Sequence, residues 1–408
     1  MVSTPSQIKW IKNKVEIMKT KVPTAVLETA IKSVKLRLNL TESEQSKIIK
    51  RLIELWMFIY NKQISDDETI SLKGYTNIDK NELDKFSIKV GQVRFRYKQL
   101  LELISELVEV NDKYKVGSFS KGYRIITSSF GDSLSEIDID LSKSFTIMKS
   151  KEYWIEKYPN HKHLIEDSYK SSIELGEYLN WMFNNEGMEL KPIIDGGFVK
   201  RRFLNRDRIW HHFLLALKLN ISDLWFKVSN EGRFYSSISN LPYTAIDFMK
   251  FNYQSIVDID IKNCQPLLLS SILGECDGLL QYKRDVEEGI FYEKMANELN
   301  MSRNEFKTLS YRFIFFNPKP LLSGKVYSSM VNLYGGVIHE INKLNNDGRL
   351  SHKLQELESK IIVDNIGKLN IPKLLRHDQV ICLKEHKELV VKELLKEFKK
   401  LKLNPIIL

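Results

Sequence analysis

Cysteine is scarce in this chain of 408 residues, and long apolar runs are missing. Cys264, Cys276 and Cys382 form no Cys-x-x-Cys pair, which excludes a zinc finger of that type and a disulfide-stabilised scaffold. No apolar stretch approaches the roughly 20 residues that a membrane-spanning helix needs. The first residues also lack the apolar stretch of a secretory signal. We therefore expect an intracellular, reducing location, the cytoplasm.

Positive charge is in excess and is unevenly distributed. The 62 Lys and Arg residues against 52 Asp and Glu residues give a net charge of +10. Residues 1–100 hold 19 Lys and Arg residues and 11 Asp and Glu residues, so the other 308 residues share only +2. A basic patch suits nucleic acid, and a Lys-rich, solvated helical surface explains the same charge. Charge alone favours the second interpretation.

Apolar spacing predicts helices in the first hundred residues. Residues 41–44 (Thr-Glu-Ser-Glu) have the form of a capping box, and an apolar face at helical spacing follows from Ile48 to Ile59. A second helix is predicted from Val90 to Val110. Glycines at 117, 122 and 131 then break the pattern. We place a domain boundary near residue 115, after a basic helical region, 1–115, of unassigned function.

The rest of the chain mixes helices and strands. A helical pattern covers 164–184, Gly196-Gly197 marks a turn, and the densest basic run follows at 200–208, where its cations can neutralise phosphates. A strand is predicted at 255–261 and a helix from 265. Further helices are predicted at about 289–299, 302–316, 351–369 and 387–402, with a strand–turn–strand at 374–383. This order predicts an α+β fold with an antiparallel sheet.

Two predicted strands carry aspartates, although ionised groups are rare in such apolar runs. Asp258 and Asp260 lie in the strand at 256–261, and Asp378 lies between the β-prone segments 374–376 and 379–383. A divalent cation compensates such charges. Two strand-borne aspartates can meet across a sheet and hold two magnesium ions about 3.5–4 Å apart. For either aspartate alone, a place in a turn is the simpler explanation.

The helix predicted over residues 303–315 presents Arg303, Lys307, Tyr311 and Phe315 at every fourth position, on one face. Two cations followed by two aromatic rings suit a nucleotide, because the charges can bind a triphosphate and the rings can stack on the base or sugar. As a lone stripe, the same pattern is typical of a salt-bridged helix with a buried aromatic end.

Taken in order, these motifs resemble the polymerase domain of family A nucleic-acid polymerases over about residues 200–408. Residues 232–242 are similar to that family's Gly-Arg…Ser-Ser…Asn-Leu…Pro stretch, and residues 260–265 stand in the place of motif A. Residues 303–315 resemble motif B, and His-Asp-Gln at 377–379 resembles motif C. Residues 354–359 resemble the glutamine-bearing helix before motif C. The family is related to the single-subunit phage-type RNA polymerases.

The resemblance implies a right-hand polymerase. A palm sheet is expected from residues near 225–265 and 370–408, with fingers around 275–350, so that 225–408 form the palm and fingers core. Residues 116–224 are expected to form a thumb-like or connecting region. Residues 1–115 are then an accessory or template-gripping module.

The resemblance also implies roles for single residues. Asp260, Asp378 and the main-chain carbonyl of Ile261 would hold two Mg²⁺ ions, with Asp258 as a reserve ligand. The nucleotide-binding residues would be Arg303, Lys307, Tyr311, Phe315 and Gln265, and Lys307 would also protonate pyrophosphate. The residues contacting nucleic acid would be Arg233, Gln355 and His377, joined by Lys200, Arg201 and Arg202 of the basic run.

Four positions depart from the family pattern. Gln265 replaces a glutamate that blocks the ribose 2′-hydroxyl, and Phe315 replaces its tyrosine partner. Arg312 stands at a usual glycine, and Gln379 replaces a glutamate beside the metals. No paired Asp-x-Glu exonuclease signature occurs in the N-terminal half, so proofreading is expected to be absent.

The implied function is that of a compact DNA-directed DNA polymerase. It would add deoxynucleotides to a primer 3′-hydroxyl, with a DNA template–primer and nucleoside triphosphates as partners, and its size would suit a virus or mobile element. One alternative is an RNA polymerase or primase of the same superfamily, which Gln265 and Phe315 motivate. The other is a catalytically inactive nucleic-acid-binding replication protein.

Overall fold

Helices alternate with short antiparallel strands, in the α+β composition that the sequence predicts. The computed structural model describes residues 17–65, 75–111, 121–126, 133–140, 149–195, 198–315, 317 and 319–408. The helices are α1 (Thr24–Arg37), α2 (Glu42–Ser65), α3 (Lys80–Asp84), α4 (Tyr97–Leu103), α5 (Lys151–Lys157), α6 (Lys162–Ser168), α7 (Leu175–Asn184), α8 (Arg206–Asn220), α9 (Cys264–Ser270), α10 (Leu279–Glu287), α11 (Phe291–Glu298), α12 (Arg303–Ser310), α13 (Lys325–Tyr334), α14 (Val337–Leu344), α15 (Leu350–Ser359) and α16 (Lys387–Lys400).

The strands are β1 (Ile17–Pro23), β2 (Thr76–Asn77), β3 (Ile88–Val90), β4 (Val93–Phe95), β5 (Val108–Asn111), β6 (Gly122–Ile125), β7 (Leu134–Asp140), β8 (Ser171–Ile173), β9 (Glu189–Asp195), β10 (Phe198–Phe203), β11 (Phe226–Val228), β12 (Phe234–Ser236), β13 (Met249–Phe251), β14 (Gln254–Ile259), β15 (Lys373–Arg376) and β16 (Gln379–Leu383). Turns of π-helix at Tyr311–Phe315 and Lys360–Asn365 continue α12 and α15.

The predicted capping box begins helix α2. The backbone N–H of Thr41 donates to Glu44 Oε2 at 3.0 Å, and the backbone N–H of Glu44 donates to Thr41 Oγ1 at 3.4 Å. The apolar face that follows is buried against α1 and α8. Tyr60, which is fully buried, donates its hydroxyl to the Leu214 carbonyl of α8 at 2.6 Å. The N-terminal helices therefore share a core with residues 206–220.

The helix predicted from Val90 to Val110 is wrong. The chain forms the hairpin β3–β4, the short helix α4 and strand β5 instead. Gly91 has φ 59° in the two-residue turn of that hairpin, a left-handed conformation that glycine adopts without steric cost. The pairing of β5 with β6 supplies the backbone hydrogen bonds that the predicted helix would have made.

The helical pattern predicted at 164–184 is interrupted by β8, at the edge of a sheet. Asn220, the last residue of α8, holds this strand. Its Oδ1 accepts from the Ile173 N–H at 2.7 Å, and its Nδ2 donates to the Ile173 carbonyl at 2.8 Å. The boundary predicted near residue 115 and the Gly196-Gly197 turn lie outside the described residues.

In the described part of the chain, the largest sheet is antiparallel and has the order β15-β16-β14-β13-β8. Its strand β14 confirms the strand predicted at 255–261, and the hairpin β15–β16 confirms the strand–turn–strand at 374–383. Ile259 of β14 pairs with Val380 of β16. His377, with φ 56°, occupies the tight turn that joins β15 to β16. The sheet therefore brings the two aspartate-bearing segments side by side.

Another hairpin, β9–β10, packs against helix α12 beside this sheet. Buried apolar residues from Val22 to Leu403 form one continuous cluster beneath these elements. Among the described residues, no helix combines the length and the apolar character needed to cross a bilayer.

We predict that Tyr60→Phe lowers the free energy of unfolding by about 1 kcal/mol, because it removes a buried hydrogen bond between α2 and α8. Urea unfolding measures this loss. The matched control is Tyr253→Phe, because the Tyr253 side chain is 93% exposed and the substitution should leave stability unchanged. Equal stability of both variants and the wild type would show that the hydrogen bond from Tyr60 to the Leu214 carbonyl contributes nothing to the free energy of unfolding.

Candidate active site

A cavity of about 1120 Å³ brings together most of the residues that the motifs single out. The predicted site residues that line it are Asp260, Gln265, Arg303, Lys307, Tyr311, Arg233, His377, Asp378 and Arg202. The strand ends of the largest sheet, the helices α8, α9, α12 and α15, and the hairpin β9–β10 form its walls. Segments distant in sequence therefore meet around one space.

The sheet register explains why Asp260 and Asp378 are neighbours. Continuing the pairing of Ile259 with Val380 by one residue places Asp260 beside Gln379, and Asp378 is the next residue along. The two carboxylates are close enough for the charge of Asp378 to act on Asp260. The tight turn at His377 holds Asp378 at this strand end.

The C-terminal residues fix the backbone around Asp260. The Leu408 N–H donates to the Asp260 carbonyl at 2.9 Å, and the Lys262 N–H donates to the Ile406 carbonyl at 3.0 Å. Ile261, the predicted main-chain ligand, is buried, forms an antiparallel bridge with Ile407 and does not line the cavity with its side chain.

The two carboxylates interact electrostatically. Burial and, after it, the charge of Asp378 raise the pKa of Asp260 to about 6. Lys307 opposes this rise, so the ammonium group also lies near the carboxylate. Such a pair of like charges is costly unless a cation compensates it.

The donor set fits magnesium bound together with a substrate. Among the described residues, no group of three or more His, Cys, Asp or Glu side chains forms a metal site. Mg²⁺, however, is typically held by one or two carboxylates plus substrate phosphates, and the pair Asp260 and Asp378 provides those. Asp258, the reserve ligand, does not line the cavity, and its Oδ2 accepts from Gln379 Nε2 at 3.3 Å.

Helix α12 presents cations to the cavity, as its spacing predicts. A capping box between Ser302 and Glu305 begins the helix. Arg303 Nε lies 2.8 Å from Glu293 Oε1 of α11, which orients the guanidinium group at the cavity rim. Lys307 Nζ lies 5.6 Å from the centre of the Tyr292 ring. Arg303, Lys307 and Tyr311 all face the same space.

Phe315 does not share that face, contrary to the prediction. Its side chain is fully buried and is absent from the cavity lining. The reason is the π-helical turn at Tyr311–Phe315, whose hydrogen bonds reach five residues rather than four. A residue four positions after Tyr311 therefore no longer continues the α-helical face. Phe315 instead makes an edge contact with the Tyr311 ring, at 6.1 Å between centres, and supports it from the core.

A buried carboxylate to which the resemblance assigns no role supports the cavity wall. Glu358 of α15 is 2% exposed, and its Oε2 accepts from Arg233 Nη2 at 2.7 Å and from Gln265 Nε2. Burial raises the pKa of Glu358, and the Arg233 charge opposes the rise. The Gln265 Oε1 atom is buried and has no hydrogen-bond partner among the described residues. This network turns the Nε2 end of the Gln265 amide toward Glu358.

Gln355 and two residues of the basic run lie elsewhere. Gln355 belongs to α15 but does not line the cavity, where Glu358 of the same helix stands instead. Lys200 and Arg201 are exposed on β10, and Arg201 forms ion pairs with Glu189 and Glu305. Of Lys200, Arg201 and Arg202, the three residues of the basic run that were predicted to contact nucleic acid, only Arg202 lines the cavity.

Sequence reasoning also missed a basic wall formed by α8. Arg208 and His212 line the cavity beside Arg202, and burial together with the neighbouring His211, Arg202 and Arg208 lowers the pKa of His212 to about 3. The basic run at 200–208 was the available signal, but it could not show that α8 turns His212 inward. Lys191 and Arg376 were missed as well, since neither belongs to the basic run at 200–208.

Comparisons with known proteins add little to this geometry. No protein-family model and no curated protein matches the chain. A solved structure that it is similar to is the POL domain of Pol1 from M. smegmatis, in complex with DNA primer-template and dNTP. The two share 11% identity at a TM-score of 0.29, over 93% of this chain and 70% of that chain. The site geometry, rather than this similarity, therefore carries the functional argument.

We predict that Arg233→Met destabilises the protein in a pH-dependent way. Without Arg233, the buried Glu358 has no counter-ion, so its raised pKa moves further above its ordinary value of 4.5. At low pH, Glu358 is protonated in both the folded and the unfolded protein, so the variant keeps its stability. The stability is lost as the pH rises above 4.5, the ordinary pKa of Glu358 in the unfolded protein. At pH 8 we expect a loss of about 3 kcal/mol relative to the wild type, with a smaller loss at pH 5.

Urea unfolding at the two pH values measures this difference. The control is Arg349→Met, because Arg349 is exposed and should show no such dependence. A loss from Arg233→Met that is the same at both pH values would refute a buried, charge-compensated Glu358.

Proposed function

We propose that the protein is a template-directed nucleotidyltransferase, a DNA-directed DNA polymerase without proofreading. The observation that supports it is the convergence of Asp260 and Asp378 in one cavity with Arg303, Lys307 and Tyr311 of α12. This combination supplies acidic ligands for metal, cations for a triphosphate and an aromatic ring for a base or sugar. The family A resemblance is part of the same proposal.

The proposal assigns the largest sheet to a palm, residues around 275–350 to fingers, and the region 116–224 to a thumb-like or connecting part. β8, from that connecting region, adds the edge strand of the sheet. Residues 1–115 remain an accessory or template-gripping module. The basic wall of Arg202 and Arg208, with the exposed Lys200 and Arg201 beside it, would bind strand phosphates. His377 and Arg233 would contact the primer end, and Gln355 would contact the duplex outside the cavity.

The residues divide the chemistry among them. Asp260, Asp378 and the Ile261 carbonyl would hold two Mg²⁺ ions, which when bound neutralise phosphate charge and make the primer 3′-hydroxyl more acidic. Arg303 and Lys307 bind the β- and γ-phosphates, and Tyr311 orients the nucleoside.

The 3′-oxygen attacks the α-phosphorus in line, losing its proton to water, as the bond from that phosphorus to the pyrophosphate oxygen breaks. Lys307 Nζ donates a proton to the departing pyrophosphate.

We predict that Asp378→Asn lowers primer extension by at least roughly 100-fold, because the amide lacks the charge that holds a cation. Affinity for the template–primer should stay within about twofold, since strand phosphates are bound by cations elsewhere in the cavity. Extension of a labelled primer, with and without magnesium, measures the first quantity, and fluorescence anisotropy measures the second.

The matched control is Asp364→Asn, because the Asp364 carboxylate is 61% exposed and should not affect synthesis. Extension by Asp378→Asn at the wild-type rate would remove Asp378 from the site. Metal-independent DNA binding without any synthesis by the wild type would favour the inactive replication protein instead.

One observation favours the second candidate, an RNA polymerase or primase. Glu358 holds the Gln265 amide so that its buried Oε1 has no donor among the described residues. A buried acceptor without a partner is costly, and a ribose 2′-hydroxyl could satisfy it, whereas a deoxyribose could not.

If this candidate is right, Gln265→Met lowers kcat/KM for ribonucleotides about 2- to 10-fold more than kcat/KM for deoxynucleotides, because only the ribose loses a hydrogen bond. Primer extension with each nucleotide class gives the ratio, and deoxynucleotide extension by the same variant is the control for folding. An unchanged ratio, with deoxynucleotides preferred by the wild type, leaves the DNA polymerase proposal in place.

A further inference from the structure

Lys191, on strand β9, lines the cavity although it lies outside every motif and outside residues 200–408. The charged groups that face it come from three other elements. Desolvation is the largest cause of its lowered pKa, Lys307 and Arg376 lower it too, and Asp378 and Asp260 raise it. Lys191 is thus an exposed residue that lies in the same cavity as the two carboxylates and Lys307, within range of their charges.

The hairpin that carries Lys191 is fixed against α12. β9 packs directly on this helix. Arg201 joins the two elements, because its Nη2 lies 3.4 Å from Glu305 Oε1 while its Nε lies 3.7 Å from Glu189 Oε1 on β9. Lys191 is two residues after Glu189, so its side chain leaves the strand on the same face. The position of Lys191 relative to Lys307 is thus set by the fold.

Lys191 has no ion-pair partner among the described residues, and Lys307 repels it. Two ammonium groups facing one space without a carboxylate partner of their own are an arrangement that an anion stabilises. Arg202 belongs to the separate wall with Arg208 and His212, since the charges of Arg202 and Arg208 both lower the pKa of His212. An anion held by Lys191 would instead lie next to the carboxylates.

We propose that Lys191 binds the triphosphate of the incoming nucleotide and, with Lys307 and Arg303, completes a clamp that grips the phosphates from two sides. This proposal rests on the proposed function, since it deepens the nucleotide site of the same cavity. A triphosphate carries several negative charges, whereas each backbone phosphodiester carries one. Several cations around one small space therefore match the triphosphate better than a strand phosphate.

The test is equilibrium binding of a non-hydrolysable nucleoside triphosphate to the full-length chain with magnesium, measured by calorimetry, alongside template–primer binding by anisotropy. Lys191→Ala should raise the Kd for the nucleotide roughly 10- to 100-fold, because a charge-assisted contact is lost. Lys191→Arg, which keeps the charge, should restore binding to within about threefold. The Kd for the template–primer should stay unchanged in both variants.

Lys392→Ala is the matched control, because Lys392 is, like Lys191, an exposed lysine, but it lies on α16 and does not line the cavity. Equal melting temperatures of the three variants exclude a folding defect. Three results would overturn the proposal. The first is an unchanged nucleotide Kd in Lys191→Ala, and the second is a wild type that binds no nucleotide. The third is a rise in the template–primer Kd alone, which would assign Lys191 to binding of the DNA strand.

These outcomes separate the clamp from the polymerase proposal. Nucleotide binding that depends on Lys191, in a protein that extends no primer, supports the clamp and refutes the polymerase. Primer extension by the wild type, together with Lys191→Ala binding nucleotide as the wild type does, supports the polymerase and refutes the clamp.

Discussion

The antiparallel pairing of β14 with β16 places two carboxylates at one end of a sheet, and the rest of the cavity is arranged around that repulsion. Burial and the charge of Asp378 together raise the pKa of Asp260, so the pair is costly as it stands. Lys307 partly offsets the charge, and a divalent cation would offset the remainder. A buried carboxylate with a perturbed pKa beside a second charge partner in a cavity is an arrangement typical of functional sites.

Around the carboxylates, the supporting interactions are buried and directional. Glu358 holds Arg233 and Gln265 from beneath, and Phe315 supports the Tyr311 ring from the core. Side chains held in this way have few alternative rotamers, so a substrate would meet a largely preformed wall.

Positive charge is most concentrated along the first hundred residues, yet the cations of the cavity come from β9, β10, α8, α12 and the β15–β16 hairpin. Net charge along the sequence therefore does not indicate where the cations of the cavity come from. The hairpin β9–β10 separates these cations into two groups. One faces the carboxylates with Lys191, and the other faces α8 with Arg202.

Local patterns determined much of this protein. The capping box of α2, the aspartate-bearing strands and the Arg303–Lys307–Tyr311 face were all predictable, because each depends on spacing within a few residues. The sequence by itself could not exclude a helix across Val90–Val110 or place Phe315 in the core. A tight turn with its strand pairing decided the first, and a π-helical turn decided the second.

Lys191, Glu358 and His212 entered the cavity only through tertiary packing, because their neighbours there lie far away along the chain. Sequence determines which side chains are available at each segment, and the docking of hairpin, helix and sheet decides which charges share a space.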